Sequence, residues 1–204
     1  MRLDKLQSLA ICPWAKGEEY VRYHNQEWGV PCRDDQALFE KICLEGQQAG
    51  LSWITVLKKR DHYRACFHQF NPNKVAKMRD DEIEALLLDA GLIRNRLKLY
   101  GIRKNALAFL ALQKELKKQS LQFHDFIWGF VQNQVKVNHF KHLSDVPVQT
   151  DEALAMSKAL KKAGFTFVGP TICYAFMQSM GLVNDHLTHC PCHPENEGQP
   201  CATI

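Results

Sequence analysis

Leu38, Phe39, Ile42 and Cys43 recur at the spacing of one helical face and run straight into Leu44-Glu45-Gly46-Gln47-Gln48-Ala49-Gly50-Leu51-Ser52-Trp53-Ile54. That junction limits the fold more than any other stretch. An apolar helix carries into it an acid, two amides and two glycines, and glycine costs about 0.8–1 kcal/mol against alanine inside a helix. Gly46 and Gly50 therefore mark either a close approach to the backbone or the end of the helix. Gly50 reads as the stop and Ser52 as the cap of the next helix. The acid, the amides and Trp53 then gather at a helix-to-helix elbow. A carboxylate, amides and an aromatic plate could hold a flat, polar, cationic ligand there.

Helical spacing continues along the chain. Asp34-Asp35 signals a start for the helix reaching Gly46–Gly50, and helices are expected over Ser52 to Lys59 and Asp61 to Phe70. Asn71-Pro72 opens a short one, Asp80-Asp81-Glu82 opens one ending at Gly91, and a long helix is expected from Leu92 to Leu116. Phe123 to Val131 is apolar, and Gln132 to Val148 reads as an irregular connection. Thr150-Asp151 caps a helix ending at Lys161-Lys162-Ala163-Gly164, and Gly169-Pro170 starts a last one finishing at Gly181. Residues 1–11 read as a leader, and Cys12 to Pro31 as an aromatic-rich loop. No stretch sustains strict alternation, so the fold class is all-α.

The 204 residues suffice for one core, here expected in two lobes. No apolar run approaches the roughly 18 residues of a membrane span, and the N-terminus lacks a signal-peptide pattern, so a cytoplasmic protein is expected. A net charge of +4 permits a polyanionic partner without demanding one.

Three constellations could carry chemistry. His186 and Cys190 stand four apart, and Cys12 with His24 could complete a tetrahedral two-Cys, two-His site suited to structural zinc, with His189, Cys192 and His193 as rivals. Leu160 to Thr171 joins two helices through a glycine-bounded turn, a helix-hairpin-helix whose backbone N–H groups and Lys161 and Lys162 could hold a phosphate. The Ala90-Gly91-Leu92 turn before Arg94 and Arg96 is a second candidate. Glu45, Tyr23, Trp28 and Trp53 could form a pocket for a base swung out of a duplex. No P-loop, G-x-S-x-G, Rossmann glycine pattern or H-E-x-x-H is present.

Four motifs carry a resemblance. Tyr23-His24-Asn25-Gln26-Glu27-Trp28-Gly29-Val30-Pro31, Glu45 to Trp53, Gly169 to Gln178 and Gly181 to His186 closely resemble the 3-methyladenine DNA glycosylase I family, in order, from about Cys12 to Cys190. The resemblance implies a two-lobed helix-hairpin-helix glycosylase fold whose ends are joined by structural zinc on Cys12, His24, His186 and Cys190. It implies Glu45 as the base-pocket acid and catalytic residue, and Tyr23 and Trp53 as aromatic walls, to which the pocket reading adds Trp28. Gly50 and Leu51 match residues that press into the duplex. The hairpin contributes Lys161, Lys162, Gly164, Phe165, Gly169 and Thr171 to DNA binding.

Residues 12–190 are thus expected to form one catalytic domain, followed by a tail over 191–204. A monomer would act on double-stranded DNA containing 3-methyladenine, near the bacterial nucleoid and without strand cleavage. Three features depart from the family pattern: a longer leader with a slightly contracted Cys12–His24 spacing, an extra Cys/His cluster in the tail, and Phe167 where many members of the wider superfamily have glycine. Two rival readings are a zinc-stapled DNA-binding protein without catalysis and a hydrolase using the Cys/His cluster as a catalytic metal site.

Overall fold

The computed structural model describes residues 10–196, so the leader and the end of the tail lie largely outside the described residues. Helices dominate. In chain order they are α1 (Glu18–Gln26), α2 (Asp35–Gln48), α3 (Trp53–Leu57), α4 (Arg60–Cys66), α5 (Pro72–Val75), α6 (Asp80–Leu86), α7 (Arg96–Lys117), α8 (Phe123–Trp128), α9 (Asp151–Lys162) and α10 (Pro170–Ser179). Among the described residues no helix is long and apolar enough to cross a membrane.

Two compact units divide the chain. Among the described residues, one comprises 32–133 and 149–176; the other combines 10–31, 134–148 and 177–196. The larger is built on α7. Its core is a run of rings from successive elements: Phe39 against Phe109 at 5.2 Å between centroids, Phe109 against Phe123 at 4.6 Å, and Phe123 against Phe165 at 6.1 Å. The helix ends follow the sequence. The Asp34 carboxylate accepts from the Ala37 N–H at 2.7 Å, the Asn71 amide oxygen from Asn73 and Lys74, and the Thr150 hydroxyl from Ala153.

Several expected elements change. α7 begins at Arg96, because the Asn95 side chain caps it by accepting from the Lys98 N–H at 3.1 Å. Helix α4 stops at Cys66. His68, Gln69 and Phe70 follow in the left-handed region, at φ 53°, 55° and 52°. That conformation costs roughly 1–2 kcal/mol per residue. It is offset by complete burial of Phe67 and Phe70, whose rings stack at 6.1 Å. α6 closes at Leu86, short of Gly91.

The smaller unit holds the main departures. The stretch expected as a loop between Cys12 and Pro31 contains α1, with Glu18 and Glu19 in its first turn and Tyr23 and His24 buried. Residues of the expected irregular connection form β1 (Lys136–Val137), which pairs in parallel with β2 (Val183–Asn184), Lys136 opposite Val183. Two residues per strand are too few for alternation to show. Beside them the Asn138 amide donates to Asp185 at 2.7 Å, and Gln178 donates to the other oxygen of the same carboxylate at 2.8 Å.

Candidate functional site

In the smaller unit, Cys12, His24, His186 and Cys190 come together, all buried. The His186 Nδ1–His24 Nε2 distance is 3.2 Å, Cys190 Sγ lies 3.6 Å from each of those nitrogens, and Cys12 Sγ lies 3.9 Å from His186 Nδ1. Zn–N bonds of about 2.05 Å and Zn–S bonds of about 2.3 Å place tetrahedral ligands about 3.4 Å (N to N) and about 3.6 Å (S to N) apart. The four residues could therefore hold a metal ion of that size. The outer nitrogens are already oriented for it. His186 Nε2–H donates to the Trp28 carbonyl at 3.1 Å, and His24 Nδ1–H to Asn25 Oδ1 at 2.7 Å, leaving the inner nitrogens as electron-pair donors. The Leu187 N–H points at Cys12 Sγ at 3.5 Å. The two thiols differ in character: Cys12, hydrogen-bonded to its neighbour and desolvated, is pushed up, while Cys190 is held low by Cys12, His186 and His24.

His186 and Cys190 face one another across a turn rather than a helix, closed by Cys190 N–H donating to the Leu187 carbonyl at 2.7 Å. Of the rivals, Cys192 packs beside the cluster, and the two histidines lie elsewhere. His189 is exposed. His193 is fully buried, but its Nε2 meets the Asn138 carbonyl at 3.1 Å and its Nδ1 accepts from the Glu195 N–H at 3.2 Å. Trp28 packs on this cluster, with its ring centroid 4.6 Å from that of His186 and 5.0 Å from that of Trp14. Tyr23, on the same helix as His24, is buried 6.3 Å from Tyr20 between ring centroids.

The larger unit carries Glu45 and Trp53, both buried. The elbow between α2 and α3 forms as the sequence indicates, with Gly50 at φ +76° and Leu51 exposed beside it. Ser52 occupies the cap position, although its hydroxyl bonds to the Thr55 hydroxyl at 2.8 Å rather than to the backbone. One amide of the motif is structural. Gln47 donates to the Lys98 carbonyl at 3.1 Å and accepts from the Tyr63 hydroxyl at 3.1 Å. The Lys98 ammonium closes the end of α2 by donating to the carbonyls of Gln47 at 2.8 Å and Ala49 at 2.6 Å, and burial pushes it below the ordinary lysine value.

Sequence reasoning missed Lys41. Its Nζ lies 3.3 Å from Glu45 Oε1 and 3.6 Å from the centroid of the Trp53 ring, with both charged side chains less than a tenth exposed. The signal was available, since Lys41 and Glu45 are four apart on one helix.

The hairpin lies in the same unit. Gly164, at φ +97°, ends α9, with Gly164 N–H on the Lys161 carbonyl and Phe165 N–H on the Leu160 carbonyl, both at 3.0 Å. The Asn105 side chain clamps Thr166 from both sides, accepting from its N–H at 2.8 Å and donating to its carbonyl at 3.2 Å. Phe167 sits at φ +57° with its side chain against two glycines. A Cβ on Gly46 would lie 2.9 Å from Phe167 Cβ, and one on Gly101 would lie 3.1 Å from its ring.

Lys161, Lys162, Gly164 and Thr171 are exposed, and Gly169 is half-buried at the start of α10. Phe165 is buried, with its ring packed on Phe123 and its N–H donating to the Leu160 carbonyl. At the second candidate turn Arg96 is paired with Glu84, which also accepts from the Tyr100 hydroxyl at 2.7 Å.

Known proteins share this mostly helical architecture. A DNA-3-methyladenine glycosylase of Haemophilus influenzae is 58% identical over 183 residues, 89% of this chain and 96% of its own length. DNA-3-methyladenine glycosylase 1 of Escherichia coli is 54% identical over 187 residues, 91% and 98%. A crystal structure of 3-methyladenine DNA glycosylase I superposes with a TM-score of 0.86 at 52% identity, covering 91% of this chain and all of that one. A variant of that enzyme type crystallised with 3-methyladenine gives 0.83 at 36% identity, over 88% and 94%. The profile of the methyladenine glycosylase family matches residues 14–193, and the chain belongs to that family.

Proposed function

We propose that this chain hydrolyses the N-glycosidic bond of 3-methyladenine in alkylated duplex DNA, leaving an abasic site and an uncut strand. The names of its relatives supply the substrate. The observation that carries the reading is the bracketing of one positive charge, the Lys41 ammonium, by Glu45 and the face of Trp53. A carboxylate and an indole meeting at a common point favour a cation there. Methylation at N3 makes adenine cationic, which sets it apart from every undamaged base.

The charge also weakens the bond to deoxyribose. As C1′–N9 breaks, its electron pair returns to the base and neutralises it, so the leaving group needs no proton. Water adds to the oxocarbenium-like C1′ and gives up a proton to solvent. The protein extracts the base, orients it and excludes competing water. Glu45 accepts from the exocyclic amine and Trp53 stacks, each cation–π contact contributing about 0.5–2 kcal/mol. Acceleration requires that some of these contacts strengthen in the transition state. Gly50 and Leu51 fill the gap in the duplex, while Lys161, Lys162, Gly164, Gly169 and Thr171 hold the phosphates. Residues 12–190 serve as one catalytic domain, acting as a monomer in the cytoplasm at the nucleoid.

Cys12, His24, His186 and Cys190 would hold a zinc ion whose role is structural. Four buried protein donors leave no open position for substrate. Strand cleavage would need a free amine. Lys41 stands in the right region, but as an ammonium it has no free electron pair with which to attack C1′.

The test is chromatographic detection of free base from methylated duplex DNA by wild type and Glu45→Gln. Wild type is expected to release 3-methyladenine, and the folded variant to be slower by about 100-fold or more, on the scale of losing one electrostatic stabilising group. Equal rates would remove Glu45 from the mechanism, and no release by wild type would remove the activity.

A further inference from the structure

We propose that Lys41 is an internal stand-in for the cationic base, a specificity-determining residue that competes with the ligand for Glu45 and Trp53. The inference rests on the pocket reading above and adds a selection rule to it.

The geometry defines the competition. Glu45 Oε1 and the Trp53 ring lie 3.3 Å and 3.6 Å from a single atom, Lys41 Nζ. A base that stacks on this face and bonds to this carboxylate needs the same space, so the ammonium must withdraw. Lys41 is on the same helix as Glu45 and one turn before it, and its four-carbon stem allows such a movement without displacing the backbone.

Charge decides which bases succeed. Separating a buried ammonium from a buried carboxylate is costly unless another cation takes its place. Cationic 3-methyladenine does so. A neutral base, whether undamaged adenine or the released product, offers only hydrogen bonds and stacking, and loses to Lys41. Cleavage itself switches the outcome, because the electron pair from C1′–N9 neutralises the base while it is still bound. Lys41 can then re-pair with Glu45 and expel the product. Without Lys41, the pocket would hold neutral base more tightly and turn over more slowly once product accumulates.

The experiment measures binding of free 3-methyladenine, by tryptophan fluorescence at a pH where the base is neutral, together with its inhibition constant during turnover. The proteins are the full-length, metal-replete wild type, Lys41→Met, Lys41→Gln, Lys41→Arg, Glu45→Gln and the Lys41→Met/Glu45→Gln double variant. Removing the charge is expected to tighten neutral-base binding and lower its inhibition constant about tenfold, the equivalent of about 1.4 kcal/mol. Lys41→Arg should behave as wild type, and Lys41→Met should have no effect in the Glu45→Gln background. The Gln variant keeps a polar head should Met fail to fold. If the uncharged variants bind as wild type does while Glu45→Gln weakens binding, the stand-in role is overturned and the pocket stands. If folded Glu45→Gln binds as wild type does, the pocket itself is misplaced and the inference falls with it.

Discussion

Around α7 the chain is held by rings: Phe39, Phe109, Phe123 and Phe165 succeed one another through α2, α7, α8 and the hairpin. In the other unit, three separate segments meet around Cys12, Leu187 and Cys190, with Trp14, Phe140 and Val146 packed on them. The larger unit contains enough apolar side chain to close on itself. The smaller one has strands of two residues and a nine-residue helix, and four metal-competent donors meet at one point in it. Small assemblies that bury little apolar surface need a cross-link or a metal. The same chain therefore combines an apolar core with a set of donors that could coordinate a metal, and the two should fail differently.

The largest expected effect tests that contrast. Protein purified without a histidine tag should carry one equivalent of zinc by elemental analysis, and Cys190→Ala should lose it. Metal binding coupled to folding is worth about 10–16 kcal/mol in zinc-finger peptides. Strong chelators should accordingly abolish amide protection in β1, β2 and α1 while α2 and α7 keep theirs. Phe109→Ala should do the reverse, lowering stability by about 3–5 kcal/mol with zinc retained. Protection lost evenly across both units would break the comparison.

An intermediate effect sharpens it within the larger unit. Gly101→Ala and Gly46→Ala should each cost about 1–3 kcal/mol in denaturant unfolding by crowding Phe167. Adding Phe167→Ala should recover part of the loss, and no recovery would show that the crowding lies elsewhere. The smallest effect on stability belongs to the surface of the hairpin. Lys161→Glu with Lys162→Glu should leave unfolding within about 0.5 kcal/mol of wild type. The same change should weaken duplex binding and reduce its salt slope by about two. An unchanged slope would move the phosphate contacts away from the end of α9.

Much of this was legible in the residues. Asp34, Asn71 and Thr150 announce helix starts because a short polar side chain accepts from the backbone ahead of it. Gly50 announces the elbow because its backbone takes φ +76°. The spacing of His186 and Cys190 suggested a shared side even though a turn, not a helix, provides it. Other features could not be read, since they depend on partners far away in sequence. Lys98 looks like one more solvent-facing lysine until the end of α2, 49 residues earlier, supplies the carbonyls it satisfies. Asn105 shows its purpose only when Thr166 lies against it, 61 residues on. The pairing of β1 with β2 has no local signal. Phe165 completes the aromatic row through Phe123, a packing partner 42 residues away that the hairpin motif does not announce.

Gly46, Gly101 and Phe167 also impose an order on change. With a phenyl group lodged between them, neither glycine can acquire even a methyl group without crowding, and removing the phenyl group leaves a void lined by two bare backbones. A chain reaching this arrangement one substitution at a time must already have both glycines before the large side chain arrives. Once it is in place, each of the three positions constrains the other two. A mutant library that varies any one of them alone will find that site nearly closed, whereas a library that varies all three has alternative packings to sample.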